Sequence, residues 1–243
     1  MEWKTSLIQQ LPWSGDIINQ AAKARVAKEV AGKIQEGETV GVGSGSTVYM
    51  ALLAIARRIK EENLRVCVIP ASAEISMACM QLGIPQATLL ESRPDWTFDG
   101  ADEVDPDHNL LKGRGGALFK EKLLMSCSPV NYILVDESKL VKQLGEHFPV
   151  PVEIFPGALT LVEDRLRLLG ADKILLRPAK GKDGPVYTEN GNWILDVHFL
   201  SVHWQLEKQV KEIPGVIESG LFYGYPLHVL VAKAAITDGS GGQ

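Results

Sequence analysis

At 243 residues the chain has room for one large domain or two modest ones, and it can bury a core without disulfide staples. Lys and Arg number 25 against 30 Asp and Glu, so the net charge is −5, which argues against a dedicated nucleic-acid binder. With 45% apolar and 23% charged residues, a disordered chain is excluded. The longest apolar run, Val48 to Ala56, is nine residues, short of the ~20 a membrane span needs. Met1-Glu2-Trp3-Lys4 carries an acid and no apolar signal core follows. Cys67, Cys79 and Cys127 are widely spaced in apolar surroundings and read as reduced core thiols of a cytosolic protein.

In chain order the first half alternates helix and strand signals. Apolar residues recur once per turn at Ile18, Ala22, Val26, Val30 and Ile34, predicting an amphipathic helix over 16–35 that stops at Gly37. Glu38 to Gly43 reads as a strand running into a glycine turn, Ser46 to Glu62 as a helix, and Arg65 to Pro70 as a buried strand. Ser72 is placed to cap a helix over 73–82 that ends at Gly83, and weaker strand signals follow at Thr88–Leu90 and Trp96–Asp99. Gly113-Arg114-Gly115-Gly116 opens a helix over 117–125, and Asn131–Asp136 is another strand. Strands separated by helices in this way predict βαβ units, hence an α/β fold whose parallel sheet is covered on both faces.

The second half has a different rhythm. Pro151–Phe155 and Lys173–Arg177 read as strands around a helix over 157–169, and Val186–Glu189 with Trp193–Val197 flank Asn190-Gly191, a hairpin signal. Leu200–Ile213, with His203 and Trp204 packing on it, reads as a helix, and Val216–Phe222 as a last strand. Without the short hairpin arm the order is β-α-β-β-α-β, the ferredoxin-like α+β arrangement. The division falls near Gly145: residues 1–144, rejoined by 223–243 through His228–Ala234, against residues 145–222. The tail from Asp238 reads as a frayed end.

Three segments are equipped for chemistry. Gly41-Val42-Gly43-Ser44-Gly45-Ser46-Thr47 joins a strand to a helix; glycines permit the tight turn, and unpaired amides at the helix start face an anion. Ser46 stands where a dinucleotide loop wants glycine, and the next strand ends without a carboxylate, so the loop suits a phosphate monoester rather than a dinucleotide. Phe98 to Asp105 contains Asp99, Asp102, Glu103 and Asp105 at the expected carboxyl edge of the sheet, where ligands bind; a solvated acidic loop is the alternative. The spacing misses the calcium-loop pattern, and the five histidines show no metal spacing. In the third segment Lys112 precedes the glycine turn and can reach back over the acids, whereas Lys120-Glu121-Lys122 reads by itself as a solvated charged face. Lys139 closes a polar strand end, either a phosphate partner or a surface lysine.

These blocks resemble one family, ribose-5-phosphate isomerase type A. The resemblance rests on 41–47, on Phe98-Asp-Gly-Ala-Asp-Glu-Val-Asp105 and on Leu111-Lys-Gly-Arg-Gly-Gly-Ala-Leu-Phe-Lys-Glu-Lys122. Val135–Lys139, Pro151–Ile154, Asn190–Asn192, Ile194–Asp196, Ile213–Val216 and Gly220–Phe222 follow in family order. It implies a Rossmann-like parallel-sheet domain plus a smaller ferredoxin-like α+β domain, and interconversion of D-ribose 5-phosphate and D-ribulose 5-phosphate through an enediolate. Carried over by residue, Glu121 matches the general base, and Asp99, Asp102 and Lys112 match the polar groups around the sugar's carbonyl and hydroxyls, with Gly100 and Ala101 between them. Ser44, Gly45, Ser46 and Thr47 match the phosphate loop, with Lys139 and Lys23 as cationic partners; Gly113, Arg114 and Gly115 match a backbone-contact turn. Ser44 stands where many members have Thr, and Arg114 where many have Gly.

A carboxylate that moves the proton between C2 and C1 needs no redox cofactor, and no cofactor or metal is expected. Lys112 is the expected stabiliser of charge developing on oxygen, and Asp99 and Asp102 a pair sharing one proton. The expected partners are small sugar phosphates and further copies of the chain in a homodimer or homotetramer, with no nucleic acid or membrane, in the cytoplasm. Two readings compete: a sugar-phosphate deaminase or CoA transferase on a related fold, and a non-catalytic sugar-phosphate sensor. Against the sensor, no helix-turn-helix segment precedes residue 16 and the chain is acidic.

Overall fold

Caps and glycines set most element boundaries. The computed structural model describes residues 7–10, 13, 17 and 19–232, so Asp16 and Ile18 of the expected helix start, the last residues of the expected return (233–234) and the tail from Asp238 lie outside it. Helix α1 (Gln20–Ala31) turns Val26 and Val30 inward, and β1 (Thr39–Val42) leads through the glycine turn into α2 (Ser46–Glu62), which ends where Asn63 adopts a left-handed conformation. After β2 (Cys67–Pro70), the Ser72 hydroxyl accepts the Ile75 N–H and starts α3 (Ala73–Leu82), and left-handed Gly83 stops it. Then come β3 (Trp96–Gly100), β4 (Glu103–Val104), β5 (Leu110–Leu111), α4 (Leu118–Cys127) and β6 (Asn131–Asp136). The remaining elements are β7 (Val150–Ile154), α5 (Leu159–Leu168), β8 (Ala171–Leu176), β9 (Trp193–Phe199), α6 (Leu206–Lys211), β10 (Val216–Ser219), β11 (Leu221–Phe222) and β12 (Leu227–Ala232).

Five strands form a parallel sheet in the order β12-β6-β3-β1-β2. Alternation along β6 sends Leu134 to the core shared with α1 and α2, and Ile133 and Val135 to the opposite core with Met125 of α4 and Phe222. Both faces are covered, which is why these strands read as continuous apolar runs. A second sheet, antiparallel in the order β10-β7-β9-β8, packs Val152, Leu195 and Val197 against Val162 and Leu166 of α5 and Leu206 and Val210 of α6. Its connectivity, β7-α5-β8-β9-α6-β10, is the expected split arrangement. A small antiparallel sheet, β11-β5-β4, lies between the two and has no counterpart in the sequence reading. Among the described residues no helix is long and apolar enough to cross a membrane.

Four elements differ from expectation. The strand over Val216–Phe222 breaks at Gly220, where the chain passes from one sheet to the other: its N–H donates to the Pro151 carbonyl at 2.7 Å and its carbonyl accepts the Lys112 N–H at 2.9 Å, an approach so close that a Cβ would lie 2.0 Å from the Lys112 carbonyl. Val186–Glu189 forms no strand: both edges of β9 are already occupied by β7 and β8, and only the Asn190-Gly191 turn survives, with Gly191 at φ +76°. The helix over Leu200–Ile213 shrinks to Leu206–Lys211, since Val202 packs near Gly145 and its carbonyl accepts from Gln143 Nε2; Trp204 is exposed rather than packed. Thr88–Leu90 is a turn closed by Glu91, and only Gln86 bridges to β2. Of the cysteines, all free, only Cys79 is fully buried.

Candidate active site

The carboxyl ends of β1, β3 and β6 open onto a cavity of about 360 Å³, at the edge where parallel sheets bind ligands. It is lined by Lys23, Ser44–Thr47, Gly100–Asp102, Lys112–Gly115, Glu121 and Lys139, which brings together every expected site residue except Asp99. Asp99 stands just behind, at 4% exposure, with its Oδ2 2.9 Å from Lys112 Nζ.

At the closed end Lys112 is itself buried and is held between two carboxylates. Its Nζ lies 3.3 Å from Glu121 Oε2 and donates to the Gly100 carbonyl at 2.5 Å. The Ser44 hydroxyl donates to Glu121 Oε1, and the backbone N–H groups of Ser44 and Gly100 donate to Asp99 Oδ1 at 3.1 and 2.7 Å. Glu121 Oε2 is buried without a hydrogen-bond partner, leaving Lys112 as its neighbour. The carboxylate facing Asp99 across the ammonium is thus Glu121; Asp102 instead accepts the Arg114 N–H at 3.2 Å. Gly43, absent from the sequence-derived site, makes the arrangement sterically possible: a Cβ there would lie 1.9 Å from Asp99 Cγ.

Electrostatics follow from burial and from one cation serving several acids. Burial, then the Glu121 charge, pushes Asp99 up to about 7, and burial raises Asp102. Burial alone would lower Lys112, but Asp99 and Glu121 outweigh it and raise its pKa, so it stays charged.

The open end has another chemistry. Gly45 at φ +91° turns the chain into α2, whose first-turn amides have no partner within the helix. Lys23 Nζ donates to Ser46 Oγ at 2.9 Å, and burial lowers its pKa. Opposite lie Lys139, Asp136 of the same Val135–Lys139 block, which carried no expected site role, and Asn19, which the sequence did not point to; Asn19 and Asp136 are joined at 3.2 Å. Burial would raise Asp136, but hydrogen bonds from Ser138 and Asn19 hold it low. Arg114 sits in the glycine turn without strain, since the positive φ values fall on Gly113 and Gly116; its guanidinium packs 4.5 Å from the Phe148 ring centre. Among the described residues no group of three or more His, Cys, Asp or Glu side chains is placed to hold a metal ion.

A family model described as ribose 5-phosphate isomerase A (phosphoriboisomerase A) matches residues 67–235, from β2 past β12. The chain belongs to the ribose 5-phosphate isomerase A family. It is 44% identical over 207 residues to a ribose-5-phosphate isomerase A of Methanocaldococcus jannaschii, covering 84% of this chain and 91% of that protein. To the protein of that name from Thermosynechococcus vestitus it is 41% identical over 230 residues, 93% and 96% of the two chains. A solved ribose 5-phosphate isomerase A structure from M. jannaschii superposes with a TM-score of 0.85 at 42% identity, covering 88% of this chain and 95% of that one. A D-ribose-5-phosphate isomerase structure in complex with phospho-erythronic acid superposes equally well at 36% identity.

Proposed function

We infer that this protein is an aldose–ketose isomerase interconverting D-ribose 5-phosphate and D-ribulose 5-phosphate, with Glu121 as the base. One observation carries the assignment of roles: the buried carboxylate of Glu121 faces the cavity beside the buried ammonium of Lys112, while Asp136, Lys23, Lys139 and the Ser46 and Thr47 hydroxyls gather at the opposite end. An enediolate mechanism needs that layout. The carboxylate takes the C2 proton of the open-chain aldose and returns it to C1, and Lys112 offsets the charge that develops on oxygen meanwhile. Asp102, which lines the cavity and whose pKa burial raises, is placed to give and take the hydroxyl proton, while Asp99 behind it holds the Lys112 ammonium. The phosphate anchors at Gly45–Thr47, Lys23 and Lys139, with Ser44 turned instead toward Glu121 and Asp99, so that remote binding energy holds the reacting carbons at Glu121. The relative's ligand supports this reading, because phospho-erythronic acid is a phosphorylated acid whose planar carboxylate resembles an enediolate.

Dividing the chain into 1–144 with 223–243, and 145–222, belongs to the same proposal and is supported by the two sheets with their separate cores. So do a cytoplasmic location and a homodimer or homotetramer, the latter to be read by light scattering.

The test is ribulose 5-phosphate formation in EDTA. Glu121→Gln keeps the shape and removes the base, so kcat falls at least ~10²-fold with little change in KM. Thr47→Ala and Lys139→Ala raise KM instead. Near-normal turnover in Glu121→Gln would remove that residue from the role, and substrate binding without turnover in the wild type would make the protein a sensor.

A further inference from the structure

Arg177 lies just past β8, more than 60 residues from the turn it touches. Its guanidinium is held by Asp196 of β9, with Nε to Oδ2 at 2.9 Å and Nη2 to Oδ1 at 2.5 Å, and the side chain is 16% exposed. The remaining terminal nitrogen, Nη1, donates to the carbonyls of Gly113 and Arg114 at 3.0 and 3.1 Å. The peptide joining Gly113 to Arg114 is therefore pinned at both ends: its carbonyl accepts from Arg177, and its N–H donates to Asp102 at 3.2 Å on the cavity wall. Gly113, at φ +109°, lacks a Cβ that would restrain rotation of this plane. The Gly113 carbonyl also accepts the Gly116 N–H at 3.1 Å, so the guanidinium is the second of two restraints against a flip that would turn the carbonyl toward the Asp102 carboxylate.

We propose that Arg177, oriented by Asp196, is a positioning residue for sugar-phosphate binding: from the second sheet it fixes the direction of the Gly113–Arg114 peptide and so the shape and polarity of the cavity wall. The planar fork is what the geometry uses, since one group grips a carboxylate with two nitrogens and two carbonyls with the third. Lysine cannot make all four bonds.

The proposal rests on the isomerase reading for its kinetic readout but not for its binding readout. Phospho-erythronic acid is titrated calorimetrically into wild type, Arg177→Met, Arg177→Ala, Arg177→Lys and Asp196→Asn, and ribose 5-phosphate turnover is measured on the same preparations well below each Tm. Arg177→Met is expected to weaken binding and raise KM by about 10- to 100-fold, the factor carried by hydrogen bonds to a charged group, with kcat within ~3-fold. Arg177→Lys and Asp196→Asn should fall between it and wild type. Added guanidinium, at millimolar concentrations too low to unfold the protein, should restore part of the affinity in Arg177→Ala and leave wild type unchanged. A residue that only stabilises the fold would lower Tm and leave KM and the calorimetric Kd alone; that result overturns the proposal. If Arg177→Met does not fold, the lysine and Asp196 variants decide, and wild-type affinity in both refutes it. A wild type that binds phospho-erythronic acid without turnover defeats the isomerase reading, while the binding arm still judges Arg177.

Discussion

A single methyl group at Gly43 should disable the site without removing any polar atom. An alanine Cβ there would lie 1.9 Å from Asp99 Cγ and 2.1 and 2.4 Å from its two oxygens. An ordinary carbon–carbon contact needs about 3.5 Å, so the carboxylate must retreat by roughly 1.6 Å. The 2.9 Å Lys112–Asp99 contact would then stretch beyond 4 Å, and the Ser44 N–H would lose its acceptor at 3.1 Å. Gly43 is not in the left-handed region, so the backbone accepts alanine and the effect is purely steric. We expect Gly43→Ala to lose kcat/KM by at least ~10²-fold, about 2.7 kcal/mol of transition-state stabilisation, and to be destabilised by about 1–3 kcal/mol from overpacking. The decisive assay is a double-mutant cycle with Asp99→Ala, which empties the space the methyl needs. In that background Gly43→Ala should change kcat/KM by less than ~3-fold, a coupling reserved for residues in contact. Equal costs in both backgrounds, or a fully active Gly43→Ala, would refute the claim that this glycine exists to admit Asp99.

Replacing Lys112 by Met removes the cation between Asp99 and Glu121, and kcat should fall at least ~10²-fold, as for loss of an oxyanion donor. The stability profile gives a sign to check. A carboxyl raised in the folded state loses stability as pH climbs from its unfolded value through its folded one. Wild-type Asp99 completes that loss near 7, whereas the variant, deprived of its ammonium, should keep losing up to ~1.4 kcal/mol per unit between pH 7 and 9; parallel melting curves would show that the groups do not interact. Lys122, on the other side of α4, is buried with Nζ 2.6 Å from Glu207, 2.9 Å from Glu218 and 2.7 Å from the Leu221 carbonyl. Lys122→Met should cost about 1–3 kcal/mol in urea unfolding, because Glu207 loses its cation and the Leu221 carbonyl its donor while Glu218 keeps Lys211 at 3.1 Å, and an unchanged midpoint would contradict this. Gly220→Ala should separate the sheets where β10 passes into β11, since its Cβ would meet the Lys112 carbonyl at 2.0 Å; a drop in Tm with weakened substrate binding is expected, and a neutral outcome would mean the backbone can yield there.

The parts of the fold legible in the sequence are those decided within a few residues. Ser72 and Gly83 bracket α3 because one offers an oxygen to a free N–H and the other tolerates left-handed backbone. The glycine loop before α2 and the acids after β3 were recognisable because turn and capping chemistry is local. The failures are equally specific. Val186–Glu189 carries a sound hairpin signal, yet β9 has no free edge left to pair with it. Lys120-Glu121-Lys122 looks like a solvated face, but α4 lies between two sheets: Lys120 stays partly exposed while Glu121 and Lys122 are buried on opposite errands, one toward the cavity and one toward Glu207 and Glu218. Periodicity cannot register a helix buried on several sides.

By itself the sequence determined the residue types, the turns, the alternation that makes a parallel sheet, and the motif blocks by which the family is recognised. Only the tertiary structure decided that Lys112 stands between Asp99 and Glu121 rather than over the Asp99/Asp102 pair, that Gly43 must lack a side chain, and that Arg177 reaches the glycine turn. The reason is physical. A pKa near 7 for an aspartate is a product of desolvation and of a neighbouring charge 22 residues away, and neither exists until distant segments pack and exclude water.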